Sequence, residues 1–177
     1  MAGSPTIASI FAQRIVVGVA ELAVASQVNA TLSTYALGSC IGLVAYDSAA
    51  KAGGLLHLML PESTLSPAKA VEKPAMFADT GIPALFNALN GVRAQRARIN
   101  LFMAGGASVL SGPDSFKIGE RNVVAVRKML SVYGCRLVGG EVGGTLNRTL
   151  HLDVSTGVLT IKLPDRTLTA CASASQI

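Results

Sequence analysis

The stretch that most limits what this chain can fold into lies between residues 40 and 61: an apolar run over 40–46, a polar cluster over 47–51, a second apolar run over 54–60, and Pro61 to close it. Short apolar runs bounded by turn residues read as strands, and two of them flanking a turn read as a hairpin. Upstream, residues 14–20 and 21–26 are rich in Val and Ala, and 31–36 alternate enough to form a strand. The first third of the chain is therefore expected to be β-structure.

Helical signals come later. Residues 83–89 carry a short helical pattern ending at Asn90-Gly91, and 99–103 read as a strand running into Gly105-Gly106, a backbone-permissive loop. Over 120–133 the apolar residues Val123, Val126, Met129, Leu130 and Tyr133 recur near helical spacing, with Glu120 at the start, Lys128 late and Gly134 just past the end. Strands at 99–103 and 136–138 on either side would make this helix a crossover, for which a right-handed connection is the strong default. Residues 149–154 and 158–163, joined through Ser155-Thr156-Gly157, form a final hairpin.

With 177 residues, half of them hydrophobic and 14% charged, the chain can bury a real core. Residues 1–177 are read as one domain, with a short flexible N-terminal segment and a tail after about Arg166. Glu21, Asp47, Lys51 and repeated glycines interrupt the apolar stretches well short of a bilayer span, so no direct membrane insertion is expected. The first residues lack a signal-peptide layout, and the odd set Cys40, Cys135 and Cys171 argues against a disulfide framework. Both point to the cytoplasm. The net charge of +5 concentrates at Arg93, Arg96 and Arg98, but no aromatic stacking platform accompanies them. A solvated face is the better reading of that cluster, and nucleic acid is not the expected partner.

Two histidines and three cysteines leave few ways to build reactive chemistry. If the 47–51 turn is centred between Ser48 and Ala49, Cys40 and His57 stand directly opposite each other, close enough for the thiol to reach a ring nitrogen. Alternatively, Ser39-Cys40 could open a helix, whose N-terminus would lower the thiol pKa. A thiolate attacks carbonyls, and an imidazole can take its proton and return it to a leaving group. Gly38 and Ser39 would let the backbone approach a substrate closely, with the Cys40 N–H facing a developing oxyanion. Thr34, Ser39 and Asp47 are each available to orient the base. Against this, cysteine and histidine in apolar strands are often mere core residues. Cys135 reads as a packing thiol, Cys171 as an exposed one, and His151 as a half-exposed strand residue. No pair of candidate ligands has the short spacing of a structural zinc site, so neither metal nor organic cofactor is expected.

More extended strings settle the class. Leu37-Gly38-Ser39-Cys40 and the block from Gly53 to Pro61 that contains His57 closely resemble the CheD family, the chemoreceptor glutamine deamidases of chemotaxis. Gly105-Gly106-Ala107, Ile118-Gly119-Glu120-Arg121-Asn122, Val142-Gly143-Gly144 and Asp153 to Gly157 continue the resemblance in family order, over roughly residues 16–162. The resemblance implies an α+β fold of the cysteine-hydrolase group that includes deamidating toxins, with mixed and antiparallel sheet layers flanked by a few helices. It also implies Cys40 as nucleophile, His57 as base and acid, and Thr34 as the orienting residue. The implied partners are a methyl-accepting chemotaxis receptor, as protein substrate, and a CheC-type phosphatase. A rival reading within the same family is a non-catalytic regulatory module that binds receptor or phosphatase.

Overall fold

A computed structural model describes residues 13–108 and 116–172; the N-terminal segment expected to be flexible lies outside them, as do residues 173–177. Strands β1 (Gln13–Val16), β3 (Ala30–Leu37), β8 (Arg148–Asp153), β9 (Val158–Lys162) and β10 (Thr167–Cys171) form one sheet in the order β1-β3-β8-β9-β10. Strands β2 (Glu21–Ala25), β5 (Ala52–Leu58), β4 (Ile41–Asp47), β6 (Asn100–Gly105) and β7 (Leu137–Val142) form the second, in the order β2-β5-β4-β6-β7. The pairs β1–β3 and β6–β7 are parallel and the remaining pairs antiparallel, so both sheets are mixed. Among the described residues three α-helices accompany them: α1 (Pro67–Glu72), α2 (Ala78–Gly91) and α3 (Ile118–Val132). The fold is α+β, as the sequence implied.

The apolar character of residues 40–60 follows from where the central hairpin sits. Every residue of β4 and β5 is buried. On one face Val44, Tyr46 and Leu55 meet Leu32, Leu37, Leu150 and Leu152 of the first sheet. On the other, Ile41, Leu43, Leu56 and Leu58 meet Ile82, Leu85 and Leu89 of α2 and Val126 and Leu130 of α3. A strand covered on both sides has no solvent face to spend polar residues on. The first sheet is covered on one side only, and β8 accordingly alternates buried with half-buried residues. Among the described residues, no helix is long and apolar enough to cross a membrane.

Several boundaries differ from the sequence reading, each for a definite reason. Residues 167–171 are not a tail: they form β10, which pairs with β9 and turns Leu168 and Ala170 into the core between the sheets. The helix expected over 83–89 begins at Ala78, with Asp79 in its first turn and Pro83 inside it rather than at its start. The Asp79 carboxylate accepts hydrogen bonds from the Ser63 N–H and hydroxyl at 2.7–3.1 Å. The arginine cluster is more than a solvated face. Arg98 donates to Asp47 at 2.7 and 3.1 Å, and Arg96 lies over the Tyr133 ring.

Asp47 is fully buried and also accepts from the N–H groups of Gln95, Ala49 and Ala50. Burial alone would raise its pKa, but the bonds from Arg98 and from the Gln95 and Ala50 N–H groups outweigh it and hold the carboxyl below its usual range. A carboxyl with a depressed folded pKa contributes stability above its ordinary value of 3.8, and that contribution is lost as pH falls through the folded value. Asp47→Asn should therefore lower stability at neutral pH by about 3 kcal/mol and flatten the acid limb of the stability curve, measured by urea unfolding at several pH values. An unchanged acid limb would mean that Asp47 is not what titrates.

Candidate active site

One end of the sandwich collects four loops: residues 38–40 entering β4, 59–61 leaving β5, 105–108 leaving β6, and 143–147 between β7 and β8. The loop before β4 is held by its own carbonyls. The Gly38 oxygen accepts from the Ala107 N–H at 2.8 Å, the Ser39 oxygen from Asn122 Nδ2 at 2.9 Å, and the Cys40 oxygen from the Gly106 N–H at 2.9 Å. Such close backbone contact depends on glycine. Gly105 and Gly106 have φ of +112° and +64°, and a Cβ at Gly105 would collide with the Cys40 carbonyl oxygen. Gly119, in the first turn of α3, abuts the same loop: its Cβ would lie 2.6 Å from the Gly106 oxygen.

The hairpin register differs from the expected one. Asp47 pairs with Ala52, so the turn is centred between Ala49 and Ala50, and His57 faces Gly42. Cys40 thus falls diagonal to His57 rather than opposite it. A displacement of two residues preserves the face, and Cys40 still packs toward the space between the sheets, the side on which His57 meets Thr34. Diagonal neighbours stand about 7–8 Å apart, still within reach of a ring side chain, and in the resting site no direct bond joins the two. Consistently, His57 Nε2 is buried with no hydrogen-bond partner among the described residues. No helix starts at Cys40: β4 begins at Ile41.

Thr34 determines the state of the imidazole. Its hydroxyl, buried on β3, lies 2.7 Å from the Val17 carbonyl oxygen and 2.8 Å from His57 Nδ1. A carbonyl can only accept, so the single hydroxyl hydrogen goes to Val17. Nδ1 must then carry the proton and donate to Thr34, which leaves the Nε2 lone pair open. Burial pushes the His57 pKa down to about 4, against a weaker opposing influence from Glu21, its neighbour on β2. Burial also raises the Cys40 thiol above its ordinary value, opposed by the residue's own N–H. The resting pair is a neutral thiol and a neutral imidazole.

The other candidates lie elsewhere. Asp47 sits at the opposite end of β4, committed to Arg98, and Ser39 is tied through its carbonyl to Asn122. Thr34 is the candidate bonded to the imidazole. His151 Nδ1 is 2.9 Å from Ser33 Oγ and edge-on to Tyr35. Cys135 is half-buried with its thiol toward the Tyr133 oxygen, and Cys171 is exposed. Two residues that carry geometry here had no role in the sequence reading. Asn122 is a polar residue in the buried stripe Gly119, Asn122, Val126 and Leu130 of α3, which is the signal that could have marked it. Arg148, buried at the start of β8, pairs with Glu141 at 3.3 Å and donates to the Leu146 oxygen.

A half-buried cysteine at the end of the sandwich, with a buried, singly protonated imidazole on the same face of the sheet, has the constituents of a thiol-dependent hydrolase. Comparison with known proteins narrows the class. The family described as CheD chemotactic sensory transduction matches residues 59–163. A probable chemoreceptor glutamine deamidase CheD of Solibacter usitatus is 49% identical over 83% of this chain and 87% of its own length. Similarly named proteins of Syntrophus aciditrophicus and Pyrococcus abyssi are 43% and 39% identical, over 84% and 82% of this chain and 92% and 88% of theirs. This chain belongs to the CheD family. Among solved structures, a Neisseria meningitidis protein of the DUF152 family aligns over 70% of this chain and 51% of its own with a TM-score of 0.38 and 11% identity, a likeness too distant to bear on the site.

Two measurements check the resting state. With Cys135 and Cys171 replaced by Ser, the rate of Cys40 alkylation by iodoacetamide should climb with pH through an apparent pKa above 9.0; a plateau at neutral pH would mean a preformed thiolate–imidazolium pair. In nitrogen-15 spectra, His57 should hold the Nδ1–H tautomer and gain its second proton only at about pH 4, and Thr34→Val should abolish the tautomer preference.

Proposed function

We propose that this protein is a chemoreceptor glutamine deamidase, hydrolysing selected glutamine side chains of a chemotaxis receptor to glutamate. Family membership supports the reaction, and the observation that carries the residue assignment is the Thr34–His57 hydrogen bond. It leaves an unprotonated Nε2 on a residue that shares its face of the sheet with the thiol.

In this reading, Cys40 Sγ bonds to the glutamine Cδ while the thiol proton passes to Nε2, and the carbonyl electron pair moves to oxygen, facing the Cys40 N–H. When the intermediate collapses, the C–N bond breaks and ammonia leaves with the proton from Nε2. Water then gives a proton to Nε2 and attacks the thioester, and the thiol departs with that proton as glutamate is released. Gly38 and Ser39 shape the approach to the carbonyl, and Thr34 orients the base. The reaction draws on no metal or organic cofactor. Residues 1–177 would act as one domain in the cytoplasm.

Two surface hollows flank this end. One of about 340 Å³ is lined by Val19, Ala20, Met59 and residues of α1; another of about 400 Å³ lies along α3 beside Phe116, Lys117, Arg121 and Lys128. Arg121 and Lys128 beside exposed Phe116 and Val124, with Glu62 and Glu120 in the same lining, suit an amphipathic helix of mixed charge as the receptor segment, and a CheC-type phosphatase is the other proposed partner.

Mass spectrometry of receptor fragments incubated with the protein should read glutamine-to-glutamate conversion. Cys40→Ala should abolish it, and His57→Gln should slow it by about 10²–10⁴-fold. Conversion undiminished in Cys40→Ala would overturn the assignment and favour a non-catalytic module.

A further inference from the structure

Asn122 is fully buried, and its carboxamide reaches two backbone oxygens from different strand ends: Nδ2 lies 2.9 Å from the Ser39 oxygen and 3.0 Å from the Met59 oxygen. Both are carbonyls and can only accept, so the nitrogen must occupy that side of the amide and both its hydrogens are spent. Oδ1 is left buried with no hydrogen-bond partner among the described residues. A buried, unpaired acceptor costs roughly 1–3 kcal/mol. A helix does not need this arrangement to pack, since Val126 and Leu130 fill the same stripe with apolar groups. The cost is concentrated where the chain enters β4, one residue before the thiol, and where it leaves β5, two residues after the imidazole.

The consequence for Cys40 follows from peptide geometry. No peptide bond in the described chain is cis, so the Ser39 carbonyl and the Cys40 N–H point in opposite directions from one rigid plane. Drawing the carbonyl toward α3 turns the N–H away from the helices, toward the face that carries the thiol. The flanking planes are held as well, through the Gly38 and Cys40 oxygens. The Ser39–Cys40 plane is the one whose orientation rests on a side chain.

We infer that Asn122 is a positioning residue: its carboxamide clamps the Ser39 and Met59 carbonyls so that the Cys40 N–H is preset to receive the oxyanion formed when Cys40 attacks a carbonyl. This inference rests on Cys40 being the nucleophile, and it assigns to α3 a part in the reaction rather than in packing alone. Asn122 does not touch substrate; it acts through the backbone of the nucleophile.

Two simple reagents separate that role from a structural one. Acylation of Cys40 by p-nitrophenyl acetate forms the Sγ–carbonyl bond, sends the carbonyl electron pair to oxygen and then expels p-nitrophenolate, with the thiol proton passing to His57. Alkylation by iodoacetamide displaces iodide at a saturated carbon and develops no oxyanion. With Cys135 and Cys171 replaced by Ser, Asn122→Ala and Asn122→Ser should slow acylation by about 10²-fold while alkylation stays within about threefold. On receptor fragments the loss should fall on kcat and leave KM nearly unchanged. Equal loss in both reagents, or none in either, would overturn the inference. If both variants fail to fold, the unaltered protein decides: both Nδ2 hydrogens should be protected from exchange and show couplings across hydrogen bonds to the Ser39 and Met59 carbonyl carbons, and their absence would overturn it. Because neither reagent is a glutamine, a wild type that acylates normally but converts no receptor glutamine would defeat the deamidase reading and leave the clamp standing.

Discussion

The site depends on a hydrogen bond that joins the two sheets, between Thr34 on β3 and the ring of His57 on β5. It lies in a buried layer where an unpaired polar group is costly, so the hydroxyl and the imidazole each constrain the other. Because the Thr34 hydrogen is already committed to Val17, the direction of the bond admits one tautomer. The sandwich therefore sets the tautomer of the imidazole as well as its position. Shear between the sheets that broke the contact would free both ring nitrogens to compete for the proton.

Cys40, the proposed nucleophile, is held by different means. Its loop has no side-chain network of its own; it is fixed by three successive carbonyl oxygens that accept from Ala107, Asn122 and Gly106. Glycine at 105, 106 and 119 lets loop and helix approach to backbone contact, which accounts for the runs of small residues that the sequence places around them. The imidazole is thus oriented from the first sheet and the thiol's loop from the helical layer. The central strands β4 and β5, buried on both faces, are the rigid wall between them.

Much of this was legible in the sequence, because the informative patterns were local. Two short apolar runs around residues 47–51 gave the hairpin, and period-2 alternation in residues 31–36 gave β3. The register of the hairpin was not legible, since a turn of small and polar residues can be centred at more than one place, yet an even displacement kept Cys40 and His57 on one face. The strand over 167–171 went unread although Thr-Leu-Thr-Ala-Cys alternates, because it lies beyond the last turn signal and so looked like a terminus. Pro83 suggested a helix start, whereas burial of Ala78 and Ile82 carried α2 through it. Thr34 could not be chosen by spacing, since its contact with His57 crosses between sheets; only the family resemblance pointed to it. Asn122 shows the opposite case, a polar residue in an apolar stripe whose partner is backbone and leaves no trace in side-chain patterning.

In the proposed reaction, the burial that lowers the His57 pKa acts unequally on the two halves of catalysis. An imidazole with a pKa of about 4 is a weak base, so removing the thiol proton during attack is the harder transfer. Once protonated, the same ring is a strong acid, well suited to delivering that proton to a departing amide nitrogen, the step at which amide hydrolysis ordinarily stalls. Burial therefore shifts the burden from breakdown of the tetrahedral intermediate to its formation. What can lower the barrier to formation without raising the basicity of the ring is a donor aimed in advance at the new oxyanion. The Cys40 N–H, with its peptide plane held by Asn122, is placed for that task. A weak base and a preset oxyanion donor are then two halves of one solution, and loosening either would be felt in the same step.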